Sequence, residues 1–270
     1  QSQLPECYLR GVMGFRLAQF LQMGWMDPEL AYRRALYHEP LIATPGPETI
    51  HTLTLTDTGR IVGYVALVGS SDPVALPLDA PARGLFPAEV AHHVDLLAGF
   101  AAPGRDSHQV YEIKRFVRAG SMARGLQRDR VPWHLILALG RSALALNDPI
   151  QLVVGDSREN GALRHLRLIG FAPVVVADTR PCLPRTELMW PSYQQPELAK
   201  PFSAPVPDKL ADYLDSIDAA LAIDTATDWR REAIARLIEV HRAAGQFSAD
   251  VASQTESSHP RPAGPETDSP

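Results

Sequence analysis

The spacing of apolar residues along the first part of the chain predicts helices first and strands afterwards. Apolar residues recur at helical spacing from Leu4 to Leu36, and Asp27 followed by Pro28 is typical of the start of a second helix. A hairpin is predicted between residues 51 and 68, where an alternating strand is followed by a turn and a β-branched strand. The second strand is apolar on both faces, which predicts a central position in a sheet.

Farther along, apolar periodicity predicts a strand, a helix, a strand and a second helix. The strands are residues 110–117 and 150–154, and the second of them is apolar apart from Gln151, as in a sheet covered on both faces. Between them Pro132 fits a first helical turn, and residues 133–146 form a strongly apolar helix. The second helix, residues 159–168, ends at Gly170, a natural residue for a helix C-terminus.

The pattern changes towards the end of the chain. Residues 172–176 and Leu188–Met189–Trp190 are predicted to be the last strands, and the following stretch is punctuated by prolines like a linker. Two amphipathic helices are then predicted, whose apolar faces bury against the main domain or against another copy of the chain. We therefore expect a domain at 1–193, a linker and helical extension at 194–247, and a disordered tail at 248–270, which is polar and rich in Pro and Ser.

Composition narrows the class of protein. The chain has 270 residues, of which 45% are hydrophobic, enough for one substantial core with appendages. A net charge of -5 argues against general nucleic-acid binding. Cys7 and Cys182 are too few for a disulfide framework, and no apolar run is long enough for a membrane span. Since the chain also begins without a signal-peptide pattern, we expect a cytoplasmic protein.

Charges inside the strand at residues 110–117 are the strongest chemical signal. Glu112 and Lys114 fall on one face of that strand, and alternation predicts that Arg115 faces the other side. Buried charges need a partner or a ligand, so the strand holds either a substrate-binding site or an ion pair that locks the sheet.

The sequence contains two other clusters of polar residues, one basic and one made of histidines. A basic, glycine-containing stretch from Arg118 to Arg130 precedes a helix and is suited to holding phosphate. His92 and His93 are adjacent, so they point in different directions on a helix, and no metal site is predicted.

Two motifs carry a resemblance to a known superfamily. Glu159 to Phe171 resembles the late helix of the GNAT acyltransferases, and the order of elements from Tyr8 to Tyr193 is similar to theirs. Glu112–Ile113–Lys114–Arg115–Phe116 resembles the Glu-x-x-Arg-Phe strand of the acyl-homoserine-lactone synthases and the related N-acyl amino acid synthases within that superfamily. Arg16, Trp25 and Asp27 loosely resemble the N-terminal residues of the lactone synthases.

The chain also departs from the superfamily pattern. The pyrophosphate loop has only a partial counterpart in Ser121–Met122–Ala123–Arg124–Gly125, and Leu166 stands where many members carry a tyrosine acid.

The resemblance implies an α/β (α+β) protein with a GNAT-like mixed central sheet, flanking helices and C-terminal helices. It implies an N-acyltransferase that moves an acyl group from a phosphopantetheine thioester to an amine. Glu112 would be the base, and Arg115 would orient it or bind an acceptor carboxylate. The residues expected to bind the acyl-pantetheine are Phe116, Val117, Arg118, Arg124, Gly125 and Asn160.

The partners implied are a small-molecule amine acceptor and an acyl-CoA or acyl carrier protein as co-substrate, with no permanently bound cofactor. Homo-oligomers through the C-terminal helices are a further expectation. Two alternatives remain: a non-catalytic module that binds acyl-CoA or a carrier protein, and a structural partner protein that acts through its C-terminal helices.

Overall fold

The computed structural model describes residues 6–36, 49–223 and 228–245, without the side chains at positions 6, 7, 9, 126 and 160. The predicted tail at 248–270 lies outside this range. The helices are α1 Glu6–Gln22, α2 Pro28–Arg33, α3 Pro87–His92, α4 Leu126–Leu144, α5 Arg164–Leu168, α6 Leu210–Leu221 and α7 Trp229–Ala243. The strands are β1 Ile50–Leu55, β2 Ile61–Gly69, β3 Val110–Arg118, β4 Leu152–Ser157, β5 Val174–Val175 and β6 Lys200–Pro205. In the described ranges, no helix is both long and apolar enough to cross a membrane.

The strands form one mixed sheet in the order β1-β2-β3-β4-β6-β5. β3 and β4 are parallel, while the other neighbours are antiparallel. The predicted mixed sheet with flanking helices is therefore confirmed. β2 lies between β1 and β3, and all its residues after Ile61 are buried, as its continuous apolar sequence predicts.

Helices cover both faces of this sheet. On one face α4, α6 and α7 close the largest core cluster, which includes Ile113, Leu135 and Ile217. On the other face α1 packs over β2 and the end of β3, and the segment around α3 packs over the start of β3 and β4. The apolar faces of α6 and α7 are thus buried within the chain itself, the first of the two possibilities that their pattern left open.

Helix α4 begins earlier than predicted, at Leu126, so Pro132 lies inside it instead of in its first turn. A proline has no N–H to donate to the carbonyl four residues before it, here that of Arg128. The guanidinium of Arg118 donates to this carbonyl at 3.3 Å. A side chain from β3 therefore satisfies the acceptor that the proline leaves unpaired.

Strand β6 corrects the prediction of a linker after residue 193. It pairs with β4 along its whole length, from Leu152 opposite Pro205 to Ser157 opposite Lys200. The carbonyl of Pro201 accepts a hydrogen bond from the N–H of Val176, on the side of β6 that faces β5. The ring nitrogen of Pro201, which has no N–H to donate, therefore also faces β5, a strand of only two residues. The prolines thus leave the ladder with β4 intact.

The strand predicted at Leu188–Met189–Trp190 is wrong. Trp190 begins a 3₁₀ helix that ends at Gln194. The carbonyl of Met189 accepts from both the backbone and the side chain of Ser192, which closes a turn instead of a ladder. This turn brings Tyr193 back towards the sheet.

Gly170 ends α5 as predicted, and its substitution is expected to be costly. Its φ is +85°, and a Cβ there would lie 2.3 Å from the ring of Tyr213 on α6. We expect Gly170→Ala to lower the free energy of unfolding by about 3 kcal/mol, from left-handed strain plus overpacking, measured by urea denaturation. The control is Gly24→Ala, at φ +65° with open space around the new Cβ, which should cost only about 1 kcal/mol. Equal losses in both variants would show that the contact with Tyr213 is unimportant.

Candidate active site

One face of the two parallel strands changes from apolar to charged as the strands separate. β3 and β4 pair only at Val110–Leu152, Tyr111–Val153 and Glu112–Val154. Val110, Leu152 and Val154 pack together in the core under α3. The next residues on that face are Glu112, in the last pair, and then Lys114 on β3 and Asp156 on β4, beyond it.

The separation begins at Gly155. A Cβ at this position would lie 3.2 Å from the carbonyl oxygen of Ile113, so a glycine allows the two backbones to approach closely before they part. β4 continues to pair with β6, and β3 with β2, after their mutual ladder ends. β3 and β4 are therefore parallel strands that splay apart beyond Glu112 and Val154.

A bulge in β3 redirects Arg115. Its φ is +62°, and the register with β2 shifts between Tyr64 and Ala66, opposite this point. The Arg115 guanidinium lies over the ring of Phe20 on α1, with its Cζ 5.4 Å from the ring centre. The prediction that Arg115 faces away from Glu112 is wrong, because strict alternation ends at the bulge and both residues line the same cavity.

A cavity of about 190 Å³ opens where the strands separate. Its wall is built by β3, the end of β4, the end of α1 with Trp25, the start of α3 and the 3₁₀ helix that carries Tyr193. Its polar lining includes Glu112, Lys114, Arg115, Asp156, Ser192 and Tyr193. The Arg158 guanidinium lies over the Trp25 ring, with Cζ 5.2 Å from the ring centre, so an aromatic and a cationic group also line the cavity.

Glu112 and Lys114 form a buried pair in this cavity. Lys114 Nζ is 3.3 Å from Glu112 Oε1, and the two residues are 8% and 2% exposed. Oε2 of Glu112 has no hydrogen-bond partner among the described residues. Burial raises the pKa of Glu112 to about 7 despite the opposing charge of Lys114, and burial also lowers the pKa of Lys114. Glu112 can therefore gain or lose a proton near neutral pH.

Asp156 is held at the rim by two aromatic groups. The Tyr193 hydroxyl donates to Asp156 Oδ2, and His92 Nε2 lies 3.6 Å from the same oxygen. The other nitrogen of His92 is 3.0 Å from the hydroxyl of Thr179. Burial favours the neutral acid, but the contacts with His92 and Tyr193 outweigh it, so the pKa of Asp156 lies below its ordinary value. Among the described side chains, no group of three or more His, Cys, Asp and Glu is arranged to hold a metal ion.

The remaining predicted site residues are distributed unevenly around the cavity. Phe116 lines it with Glu112 and Arg115. Val117 is buried in the core beside α1, and Arg118 supports α4. Arg124 and Gly125 are exposed in the loop before α4. The side chain of Asn160 lies outside the described part of the structure.

Asp156, His92 and Tyr193 were not predicted as site residues. His92 enters the sequence analysis only as half of a histidine pair. Tyr193 comes from a segment predicted to follow the last strand. The one signal in the sequence is the position of Asp156, two residues after the apolar stretch at 152–154.

A second, smaller cavity of about 30 Å³ lies on the opposite face of β3. It is almost wholly apolar and lies between the sheet and α4, with Ile136 and Leu139 in its wall. Ile113 lines both cavities, so one strand residue separates the polar space from the apolar one.

Comparison with known proteins finds similarity among solved structures. No protein-family model matches the chain, and no curated protein matches it in sequence. The chain is similar to BjaI, a CoA-dependent acyl-homoserine lactone synthase solved with MTA, at a TM-score of 0.48 and 14% identity over 82% of this chain and 85% of that one. It is also similar to TofI, solved with an inhibitor and MTA, at 0.48 and 17% identity over 79% and 92% of the two chains.

A third similar structure is a GNAT-family acetyltransferase from Staphylococcus aureus Mu50, at a TM-score of 0.40 and 10% identity over 76% of this chain and 98% of that one. Similarity at this level concerns the fold alone. The mixed sheet, with β3 and β4 parallel and diverging beneath flanking helices, is consistent with the predicted GNAT-like fold.

Proposed function

We propose that the protein is an N-acyltransferase that moves an acyl group from a phosphopantetheine thioester to an amine. The observation that carries this proposal is Glu112, a buried carboxylate with one unpartnered oxygen that lines a cavity between separating parallel strands. Such a group is suited to accept a proton from an amine, and the separated strands offer backbone groups to an amide-bearing substrate.

The thioester arm would enter between β3 and β4. Its amides can pair with the backbone beyond Glu112 and Val154, where the ladder of the two strands has ended. A backbone N–H in the same opening can stabilise the oxyanion that forms when the amine attacks the thioester carbonyl. The exposed Arg124 precedes α4 and is placed to meet the phosphates of CoA or an acidic carrier protein.

The acyl chain would lie in the apolar cavity under α4. Ile113 lines both cavities and lies just past the last pair of β3 and β4, so a chain that passes it between the separated strands would contact aliphatic side chains. The small volume of the apolar cavity favours a short acyl chain.

Glu112 would accept a proton from the acceptor's ammonium, directly or through a water, before the amine attacks the thioester. Arg115 lies in the same cavity and can bind an acceptor carboxylate or orient Glu112. The thiol of the pantetheine is the leaving group, so thiol release reports each turnover.

The proposal is tested by measuring thiol release from acyl-CoA and acyl carrier protein thioesters with a panel of amines, followed by mass spectrometry of the products. An acylated amine formed at the rate of thiol release supports it. If the protein binds acyl-pantetheine but releases no thiol with any of the amines, it is a binding module and not a transferase. The buried Leu166, where many relatives carry a tyrosine acid, is the observation that favours this second function.

The pH dependence of turnover should follow Glu112. A base must be unprotonated, so we expect kcat/KM to fall about tenfold per unit as pH drops below about 7, the pKa of this carboxyl, and to level off above it. The control is the residual activity of Glu112→Gln, whose profile should lack this limb. A wild-type profile that is flat from pH 5 to 8 would contradict the assignment.

A further inference from the structure

The face of β3 and β4 that lines the polar cavity holds a second carboxylate for which the proposed reaction has no role. Glu112 and Lys114 lie on β3, and Asp156 lies on β4 just past the last pair, at Glu112 and Val154. All three line the same cavity. Lys114 therefore shares the cavity with two acids, and its ammonium group contacts one of them, Glu112.

We propose that Asp156 is a positioning residue that draws the charge of Lys114 towards itself and so makes the carboxylate of Glu112 a stronger base. Tyr193 and His92 hold Asp156 in that place. This inference rests on the proposed function of Glu112 and adds the group that sets its basicity.

The argument begins with the charge balance. A lysine that pairs only with Glu112 would stabilise the carboxylate and make it a weak base. A second anion nearby competes for the same ammonium and also repels the charge on Glu112. Both effects favour proton uptake by Glu112. The pKa of Glu112 is indeed raised. Burial is the largest cause, the charge of Lys114 opposes it, and the charge of Asp156 raises the pKa further.

The attachment of Asp156 explains how it remains an anion at the rim. The Tyr193 hydroxyl donates to its Oδ2, and the His92 ring lies beside the same oxygen. The Asp156 side chain is 22% exposed, whereas that of Glu112 is 3% exposed, so Glu112 is the more deeply buried of the two carboxylates. The two carboxylates thus have different environments, and their pKa values move apart in opposite directions.

The other charged groups near Glu112 do not supply this effect. Arg115, on the same strand, is a cation and lowers the pKa of Glu112. Arg158, directly after β4, is also a cation, and its guanidinium lies over the ring of Trp25. The Tyr193 hydroxyl donates a hydrogen bond to Asp156, and burial, reinforced by Asp156, raises the pKa of this phenol, so it remains neutral.

The test is a direct titration of Glu112 in the full-length protein. Carbon-13 NMR of glutamate carboxyl carbons is recorded against pH, with the Glu112 signal identified by its loss in Glu112→Gln. We expect Asp156→Asn to lower the titration midpoint of Glu112 from about 7 by about one unit. Asp156→Glu should restore it, and Asp148→Asn, an exposed acid outside the cavity, should leave it unchanged.

Kinetics provide the second readout. In Asp156→Asn the acid limb of kcat/KM should move to lower pH by the same amount, and the plateau should fall by about threefold, because a weaker base removes a proton less readily. Tyr193→Phe removes the hydrogen bond but keeps the charge, so it should lower the rate with little movement of the limb. A purely structural role for Asp156 would lower the rate without moving either midpoint.

An unchanged Glu112 midpoint in folded Asp156→Asn would overturn the inference. If that variant does not fold, Asp156→Ser, which also removes the charge and retains a polar group for Tyr193, decides the same question. If the midpoint moves but wild-type protein transfers no acyl group, the coupling of the three residues stands and the proposed function fails.

Discussion

Replacement of Glu112 by Gln is expected to reduce acyl transfer by about 10²–10⁴-fold, because the amide has the shape of the acid but cannot accept a proton. KM for the thioester should change little, since the pantetheine arm would bind backbone groups of the separated strands. The measurement is thiol release under saturating thioester and amine. Glu239→Gln, an exposed acid on α7, is the matched control and should keep wild-type turnover.

The folded state should tolerate this substitution. The pKa of Glu112 is raised in the folded protein, so between about pH 4.5 and 7 the folded chain binds this proton more tightly than the unfolded chain. This group therefore contributes stability below that window, and the contribution is lost as pH rises through it. Glu112→Gln removes this dependence, so the variant should unfold with a flatter pH profile. Full turnover in a folded Glu112→Gln would exclude this residue as the base.

The second large effect is expected in the segment that carries α3. Glu89 and Arg83 form a two-pronged ion pair at 2.8 and 3.0 Å, with side-chain exposures of 0% and 4%. The same carboxylate accepts from the backbone N–H groups of Phe86 and Leu96, each at 2.9 Å. Contacts with Glu89 outweigh the burial penalty and raise the pKa of Arg83, so the guanidinium stays charged across the ordinary pH range.

We expect Glu89→Gln to lower the free energy of unfolding by about 3–5 kcal/mol, because it leaves a buried guanidinium without its anion. Urea denaturation measures the loss. Asp218→Asn breaks the ion pair with Arg141 at 2.7 Å, where both side chains are about half exposed, and should cost less than about 1 kcal/mol. Similar losses in the two variants would contradict the importance of burial here. The double variant Arg83→Met/Glu89→Leu should recover much of the stability.

This ion pair holds the segment of residues 70–87 against α3. Their Pro, Asp and Ala content is typical of an exposed loop. Arg83 is nevertheless 8% exposed, because its guanidinium reaches the carbonyls of Leu78 and Gly84 as well as Glu89. Composition does not reveal such a closed set of partners, since each contact depends on how the loop folds over α3.

Strands with regular local patterns were predictable from the sequence. The hairpin of β1 and β2, the apolar β4 and the charged β3 all follow from alternation or from continuous apolar runs. β6 escaped prediction because Lys200–Pro205 contains two prolines and has no such pattern, and its strand structure depends on pairing with β4 and β5. Pairing between segments distant in sequence is not encoded in the period of either one.

The sequence by itself determined the sheet's central strands, the helices over them and the choice of Glu112 as a candidate site residue. Local periodicity and a charge inside an apolar strand can be recognised without knowing which segments pack together. Only the tertiary structure decided which groups surround that charge. The positive φ of Arg115 turned its side chain into the cavity, and the turn at Trp190 returned Tyr193 to Asp156. Such contacts join residues far apart in the chain, so they arise from packing and strand order and not from spacing along the sequence.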